Sequence, residues 1–288
     1  MGKDYLIYTD VTSDLPDSFY KENNVRLLYL SYVLGGVEYS EGKTLPTKEF
    51  YAKLRGGEIA KTSQITPEIY EAAFEKTIQD GMDVLYIAFS SALSGSCGSA
   101  KVAAATLSEK YPQAKVLVVD SLCASLGEGL LVYKAVQLKK QGKSLDELAA
   151  WLEENKLHLC HMFTVDDLMH LHRGGRVSKT TAIAGSILGI KPILHVSDEG
   201  KLISIGKVRG RKQSLMALAD YMGERIGSWQ NPVAAISHGD CEEDAHFVRD
   251  LIAKRFGVKE FIINPVGTVI GSHSGPNTLA LFFMGDKR

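Results

Sequence analysis

Short apolar runs alternate with helix-like runs along almost the whole chain, and this alternation constrains the fold more than any other feature. Val84–Phe89 and Val116–Val119 are compact and apolar on both faces, as strands buried in a parallel sheet must be. Between them, Ser96–Lys110 is rich in Ala and has helical spacing. Pro67–Ile78 places Ile69, Ala72, Ala73 and Ile78 on one helical face, with Thr66 as the expected N-cap and Pro67 as the first residue. Strand, helix and strand at this spacing give right-handed crossovers and a parallel sheet. Tyr5–Thr9 and Arg26–Leu34 read as two further strands. Leu126–Gln141 and Ser144–Asn155 read as helices separated at Gly142.

Beyond residue 156 the pattern changes. Leu157–Thr164 is strand-like. Ile190–Val196 and Leu202–Lys207 flank Ser197-Asp198-Glu199-Gly200, a hairpin signal. Helices over Arg211–Ile226 and Asp244–Phe256 then alternate with strands over Val233–Ser237, Phe261–Asn264 and Leu279–Met284. The expected fold is α/β with two domains. Residues 1–156 form a Rossmann-like parallel-sheet domain, and residues 157–288 form a mixed-sheet α/β domain. The length of 288 residues suits two medium domains.

Charge narrows the partners. The 33 Lys+Arg balance 34 Asp+Glu, so the basic excess of a phosphate-tracking nucleic-acid binder is missing. No run approaches the ~18 apolar residues of a bilayer span, so any membrane contact is expected to be transient. Met1-Gly2-Lys3-Asp4 leads straight into a strand, and no signal peptide is expected. Cys97, Cys123, Cys160 and Cys241 form no Cys-x-x-Cys pair and read as reduced thiols of a cytoplasmic protein.

Two motifs invite readings that their spacing does not support. Gly36 to Lys43-Thr44 looks like a phosphate-binding loop, yet five residues separate Gly36 from Gly42 where that loop has four. A glycine-bearing hairpin is expected instead. No Gly-x-Gly-x-x-Gly occurs, so no dinucleotide cofactor is implied. His158-Leu159-Cys160-His161 on a strand would point its residues to opposite faces, and no second ligand cluster has zinc spacing, so no metal is expected.

Four segments remain. Lys61 to Pro67 contains Thr62 and Ser63. Phe89 to Ser96, with Ser94 and Gly95, follows a buried strand and opens a helix, which is where open α/β sheets bind ligands. Its four serines exceed what a cap needs. Gly271 to Pro276 holds His273 between serines in an expected tight turn. Leu171 to Ser178 brackets a Gly pair with Arg173 and Arg176.

Together these segments resemble the DegV family of bacterial lipid-binding proteins, over about residues 4–284. Thr9-Asp10-Val11-Thr12-Ser13-Asp14-Leu15-Pro16 looks like its opening motif, with Val11 where the family usually has Ser. Thr62 to Pro67 and Ser90 to Ser96 look like its two hydroxyl loops. Asp167-Leu168 through Arg173 to Ser178, then Gly189 to Leu194, look like its central stretch, and His273 to Pro276 like its closing motif. The resemblance implies a long-chain fatty acid such as palmitate buried between two α/β domains. Its carboxyl would be held by Thr62 and Ser94 with His273 nearby, and by Ser63 and Gly95 of the same loops. It also implies a non-catalytic carrier that presents the carboxyl to a separate ATP-dependent fatty acid kinase subunit, which forms an acyl phosphate in phospholipid metabolism. Ala184, Ile187, Leu188 and Phe283 are the expected tunnel lining, and Arg173 the expected partner contact.

The other reading is an acyl-transfer or ester-hydrolysing enzyme with Ser94 as nucleophile, His273 as base and Asp120 or Asp10 orienting it. The residues lean against it, because Ala92 stands where a nucleophile elbow requires Gly.

Overall fold

The computed structural model describes residues 3–179 and 189–288. Its strands, in chain order, are β1 (Tyr5–Asp10), β2 (Arg26–Leu28), β3 (Ser31–Leu34), β4 (Val37–Tyr39), β5 (Lys61–Ser63), β6 (Asp83–Ala88) and β7 (Val116–Asp120). There follow β8 (Leu159–Thr164), β9 (Ile190–Val196), β10 (Leu202–Arg209), β11 (Val233–His238), β12 (Glu260–Pro265) and β13 (Leu279–Met284). Among the described residues they form three sheets. A parallel sheet has the order β2-β1-β6-β7. A mixed sheet has the order β10-β9-β8-β13-β11-β12. A small antiparallel sheet has the order β4-β3-β5.

The α/β class and the two large sheets agree with the sequence reading. Helices Pro67–Gln79 and Ser96–Lys110 lie in the β5–β6 and β6–β7 connections, and Thr66 and Pro67 open the first of them. Ser144 closes a capping box with Glu147 at the start of helix Leu145–Asn155, satisfying two backbone donors at once. Gly35 and Gly36 both take positive φ in the turn between β3 and β4, the geometry a two-residue hairpin demands. The phosphate-loop lookalike is therefore a hairpin.

One expected strand is two. Arg26–Leu34 splits after Leu28: β2 pairs with β1, while β3 pairs with β4 and β5. Leu28, Leu30, Tyr32 and Leu34 keep the period of two and enter one core cluster. Periodicity reports the buried face but not the backbone partner, which changes here. β7 is also less buried than expected. It is an edge strand, and only Val119 is fully buried in it.

Three apolar clusters hold the fold. One packs the small sheet and helices against the parallel sheet, and another fills the space beneath helices Arg211–Arg225 and Glu242–Phe256. The third runs without a break from Tyr5, Ile7 and Leu85 through Leu130 and Leu131 to Leu159, Phe163 and Phe282. Helix Leu126–Lys140 carries it, packing on strands of both large sheets.

Candidate functional site

One face of the mixed sheet does not pack solidly on its neighbours. It floors a cavity of about 220 Å³. Strand alternation decides which residues face it. His161 and Phe163 of β8, Ser237 of β11, and Ala280 and Phe282 of β13 line the cavity. Cys160, Met162, Leu279, Leu281 and Phe283 point the other way, into the core beneath the helices. The expected lining residue Phe283 is thus corrected to its neighbour Phe282. Every residue of β13 is buried, so burial alone does not distinguish its two faces. Ala184, Ile187 and Leu188 lie outside the described residues.

Loops at the C-terminal edge of the parallel sheet close the cavity from above. They supply Phe89, Leu93, Ser94 and Gly95 after β6, and Ala124 and Ser125 after β7. At one end the wall turns polar. Thr62 Oγ1 and His273 Nε2 lie 2.8 Å apart, joining the small sheet to helix Thr268–Ser274. His273 therefore occupies the last turn of a short helix and not the expected tight turn. Burial, with Arg176 adding to it, lowers the His273 pKa to about 4, so its imidazole is neutral at neutral pH. Gly174 makes that position possible: a Cβ there would lie 2.1 Å from His273 Nδ1.

Ser94 completes the polar end. Its Oγ sits 3.0 Å from Ser96 Oγ and accepts from the Ser96 amide at 3.2 Å, at the start of helix Ser96–Lys110. Gly95 lines the cavity beside Gln64, whose amide group occupies the space a side chain at Gly95 would need. Ser63 is not part of this wall. In the three-residue strand β5, Thr62 is half-buried while Lys61 and Ser63 are exposed. Arg176 is the residue that sequence reasoning missed. Its Nε and Nη2 donate to the Leu93 carbonyl at 3.1 and 2.8 Å, and it lines the cavity. Arg173 lies across the Gly pair, exposed, and donates to His170 Nδ1 at 3.0 Å. The bracketing of two glycines by two arginines was the available signal. The turn at Gly175, with φ +76°, sends only the second guanidinium inward.

A network of acids and hydroxyls backs the inner wall. Glu128 accepts from Thr9 Oγ1 at 2.7 Å and from Thr12 Oγ1 at 2.9 Å. Asp10 accepts from the Thr12 amide at 3.0 Å and from Tyr86 at 2.7 Å. Asp14 Oδ2 lies 2.6 Å from Ser125 Oγ, which lies 2.9 Å from Ser237 Oγ on the cavity wall. All three carboxyls are buried, and among the described residues none has a cationic partner. Burial raises the pKa of each, Asp14 to about 8. Ser125 has one proton and cannot donate to both neighbours. With Asp14 protonated, its proton goes to Ser125, which donates to Ser237; with Asp14 ionised, Ser237 donates to Ser125, which donates to the carboxylate. In the opening motif Val11 packs at the margin of an apolar cluster, and Thr12 makes the polar contacts.

The acyl-transfer arrangement is not assembled. His273 bonds to Thr62 and not to Ser94, whose hydroxyl is engaged with Ser96. Asp120 is engaged with the Ser91 and Leu122 amides, and Asp10 with Thr12, Tyr86 and the Phe89 amide. The His-Cys-His segment is only partly strand: His158 ends a 3-10 turn over Lys156–His158, and alternation along β8 separates Cys160 from His161. His158 bonds to the Gly285 carbonyl, Cys160 enters the core, and His161 faces the cavity against Phe282. No group of three or more metal-ligating side chains occurs among the described residues. No helix of the described residues is long and apolar enough to cross a membrane.

The arrangement can hold a ligand with an apolar body and a compact polar head, bound by neutral donors and one nearby guanidinium. Comparison with known proteins points the same way. The family described as "Uncharacterised protein, DegV family" matches residues 5–286. A DegV domain-containing protein of Clostridium perfringens is 46% identical over 288 residues, covering 99% of each chain. A DegV family protein from Thermus thermophilus, described by its fatty acid binding, superposes with a TM-score of 0.87 at 30% identity, covering 98% of this chain and 99% of that one. DegV of Bacillus subtilis, described as a fatty acid binding protein, superposes with a TM-score of 0.84 at 28% identity, covering 99% of this chain and 100% of that one. With its family match running nearly end to end, the chain belongs to the DegV family.

Proposed function

We propose that this protein binds a long-chain fatty acid, of about palmitate length, and presents its carboxyl to a separate ATP-dependent fatty acid kinase subunit. One observation carries the reading: a cavity walled mainly by carbon ends at the Thr62–His273 pair and the Ser94 loop. The tail supplies the affinity. At ~0.8 kcal/mol per buried CH₂, about a dozen methylenes give on the order of 10 kcal/mol before ordering costs. Thr62, Ser94, Gly95, His273 and Arg176 hold the head, and no covalent step falls to this chain. The fatty acid binding of the Thermus thermophilus and Bacillus subtilis relatives supports the reading. The carrier would act in the cytoplasm, where its four free thiols stay reduced.

Denaturing mass spectrometry of the purified protein tests the reading directly. A fatty acid released without covalent attachment is expected, and an acyl adduct on Ser94 would overturn it. Replacing both Thr62 and Ser94 by Ala is expected to weaken binding by about 1–3 kcal/mol for each lost donor while the fold persists. Titration with a fluorescent fatty acid measures this, and unchanged affinity in the double variant removes both from the head site.

Arg173 is proposed to serve the partner. It is exposed beside the polar end and has no carboxylate partner among the described residues. Arg173→Ala is expected to leave fatty acid affinity nearly unchanged while acyl-phosphate formation with kinase and ATP falls sharply. Added salt should weaken the wild-type reaction in the same assay. Parallel loss of lipid binding and phosphorylation would place Arg173 in the pocket instead.

A further inference from the structure

Polar groups line the cavity beyond those that face the ligand head. Ser274 is 6% exposed and lines the cavity, and its hydroxyl has no hydrogen-bond partner among the described residues. Its helix offers an easy alternative: Ser272 ties its own hydroxyl to the Thr268 carbonyl at 2.6 Å. Ser274 makes no such bond to Ile270. Ser237 lines the same cavity and is fully buried. Among the described residues its hydroxyl meets only Ser125 Oγ, at 2.9 Å. When Asp14 is protonated, Ser125 donates to Ser237, and the Ser237 hydrogen is left without an acceptor. When Asp14 is ionised, Ser237 donates to Ser125 and keeps its lone pairs free. In either arrangement Ser237 has bonding capacity left over, and the space beside it is the cavity. The two serines share one corner of the floor. Ser237 stands opposite Ala280 across the β11–β13 pair. Thr278, just before β13, donates to the Ser274 carbonyl at 3.0 Å.

A plain alkyl chain laid over this corner would leave both hydroxyls buried without a partner, which is costly. A hydroxyl on the chain suits them better than a carbonyl or ether oxygen. It donates as well as accepts, so it meets Ser237 in either proton arrangement. Ser274 directly follows His273, so the corner adjoins the end of the cavity that takes the carboxyl. We propose that Ser237 and Ser274 form a hydroxyl subsite, and that the preferred ligand is a long-chain fatty acid hydroxylated on one of the first carbons after its carboxyl. The proposal rests on the fatty acid reading above and narrows its substrate class. Thr62, Ser94 and His273 keep the carboxyl, the two serines take the hydroxyl, and the rest of the chain lies against apolar walls such as Phe163, Ala280 and Phe282. A pocket built to pair a ligand hydroxyl discriminates against the analogue that lacks it, because its own buried groups then stay unpaired.

The test uses the full chain, stripped of lipid, and palmitate with its 2-hydroxy, 3-hydroxy and 16-hydroxy derivatives as probes. Calorimetry is expected to show the 2-hydroxy or the 3-hydroxy acid binding about fivefold or more tightly than palmitate. The 16-hydroxy acid, with its hydroxyl at the other end of the chain, should bind more weakly than palmitate. Ser237→Ala and Ser274→Ala each remove one oxygen from a buried position, and each should bring the hydroxy-acid preference close to one. The preference is read as a ratio within each variant, so a general loss of affinity does not imitate the effect, and a thermal melt checks that the variants fold. No preference for either near-carboxyl isomer in wild type would overturn the subsite, and the wild-type comparison stands whether or not the variants fold. A preference for the 16-hydroxy acid, or one that survives in both variants, would overturn it too. Failure of wild type to bind any of the acids would instead overturn the fatty acid reading beneath it.

Discussion

The wild-type chain is expected to lose stability relative to its Asp14→Asn variant as pH rises from about 4 to about 8. Asp14 is buried without a cation, and its folded-state pKa is raised to about 8, against about 3.9 for an unfolded Asp. A raised carboxyl pKa means that the folded state holds a proton the unfolded state releases. Its contribution is therefore intact below about pH 4 and is lost as pH climbs through 8. The full difference is on the order of 5 kcal/mol, an upper bound that local relaxation reduces. Asn suits the same place. Its amide donates to Ser125 as the protonated acid does, and its carbonyl accepts from the Gly267 amide, which lies 3.0 Å from Asp14 Oδ1. Urea unfolding of both proteins at pH 5 and pH 8.5 measures the effect. Parallel profiles would show that Asp14 is ionised in the folded chain.

Gly174→Ala is expected to weaken fatty acid binding by about 1–3 kcal/mol and to lower stability by a similar amount. The added methyl would stand 2.1 Å from His273 Nδ1 and 3.2 Å from its Cγ. The imidazole must then turn away from Thr62. Gly175 is the contrast. Its φ is +76° and nothing lies within 4 Å of a Cβ placed there. Gly175→Ala should lower stability by about 1 kcal/mol through backbone strain and leave affinity alone. A fluorescent fatty acid titration beside a thermal melt separates the two. If Gly174→Ala titrates like wild type, His273 is not part of the head site.

Much of this architecture is legible in the sequence because burial and period are local properties. Helix Ser96–Lys110 and strand Leu279–Met284 have the bounds that their patterns suggest. Thr62, Ser94 and His273 are distant in sequence, yet the strand, loop and helix that carry them meet at one cavity. What fails is information that resides in partners. The parity of β13 is set by which face the helices cover, so Phe282 and Phe283 are indistinguishable until the sheet is packed. The same holds for Ser63, which differs from Thr62 only by one step along a strand. Leu28 and Tyr32 share a core but belong to different backbone neighbourhoods. The Asp14–Ser125–Ser237 chain joins three remote segments, and no spacing rule relates them.

The unbroken apolar cluster that runs from Tyr5 through Leu130 to Phe282 has a consequence for how the molecule comes apart. A division near residue 156 would expose helix Leu126–Lys140 on the side that serves the second sheet. Neither half has a finished surface of its own. Melting of one therefore removes the support of the other, and the two are expected to unfold as a single cooperative unit. Thr62 comes from one half and His273 from the other, so their hydrogen-bonded pair exists only in that unit. Any ligand that bridges them acts as a clamp on the whole chain. Its occupancy raises the resistance of distant segments to local opening, and the empty chain is the more vulnerable species.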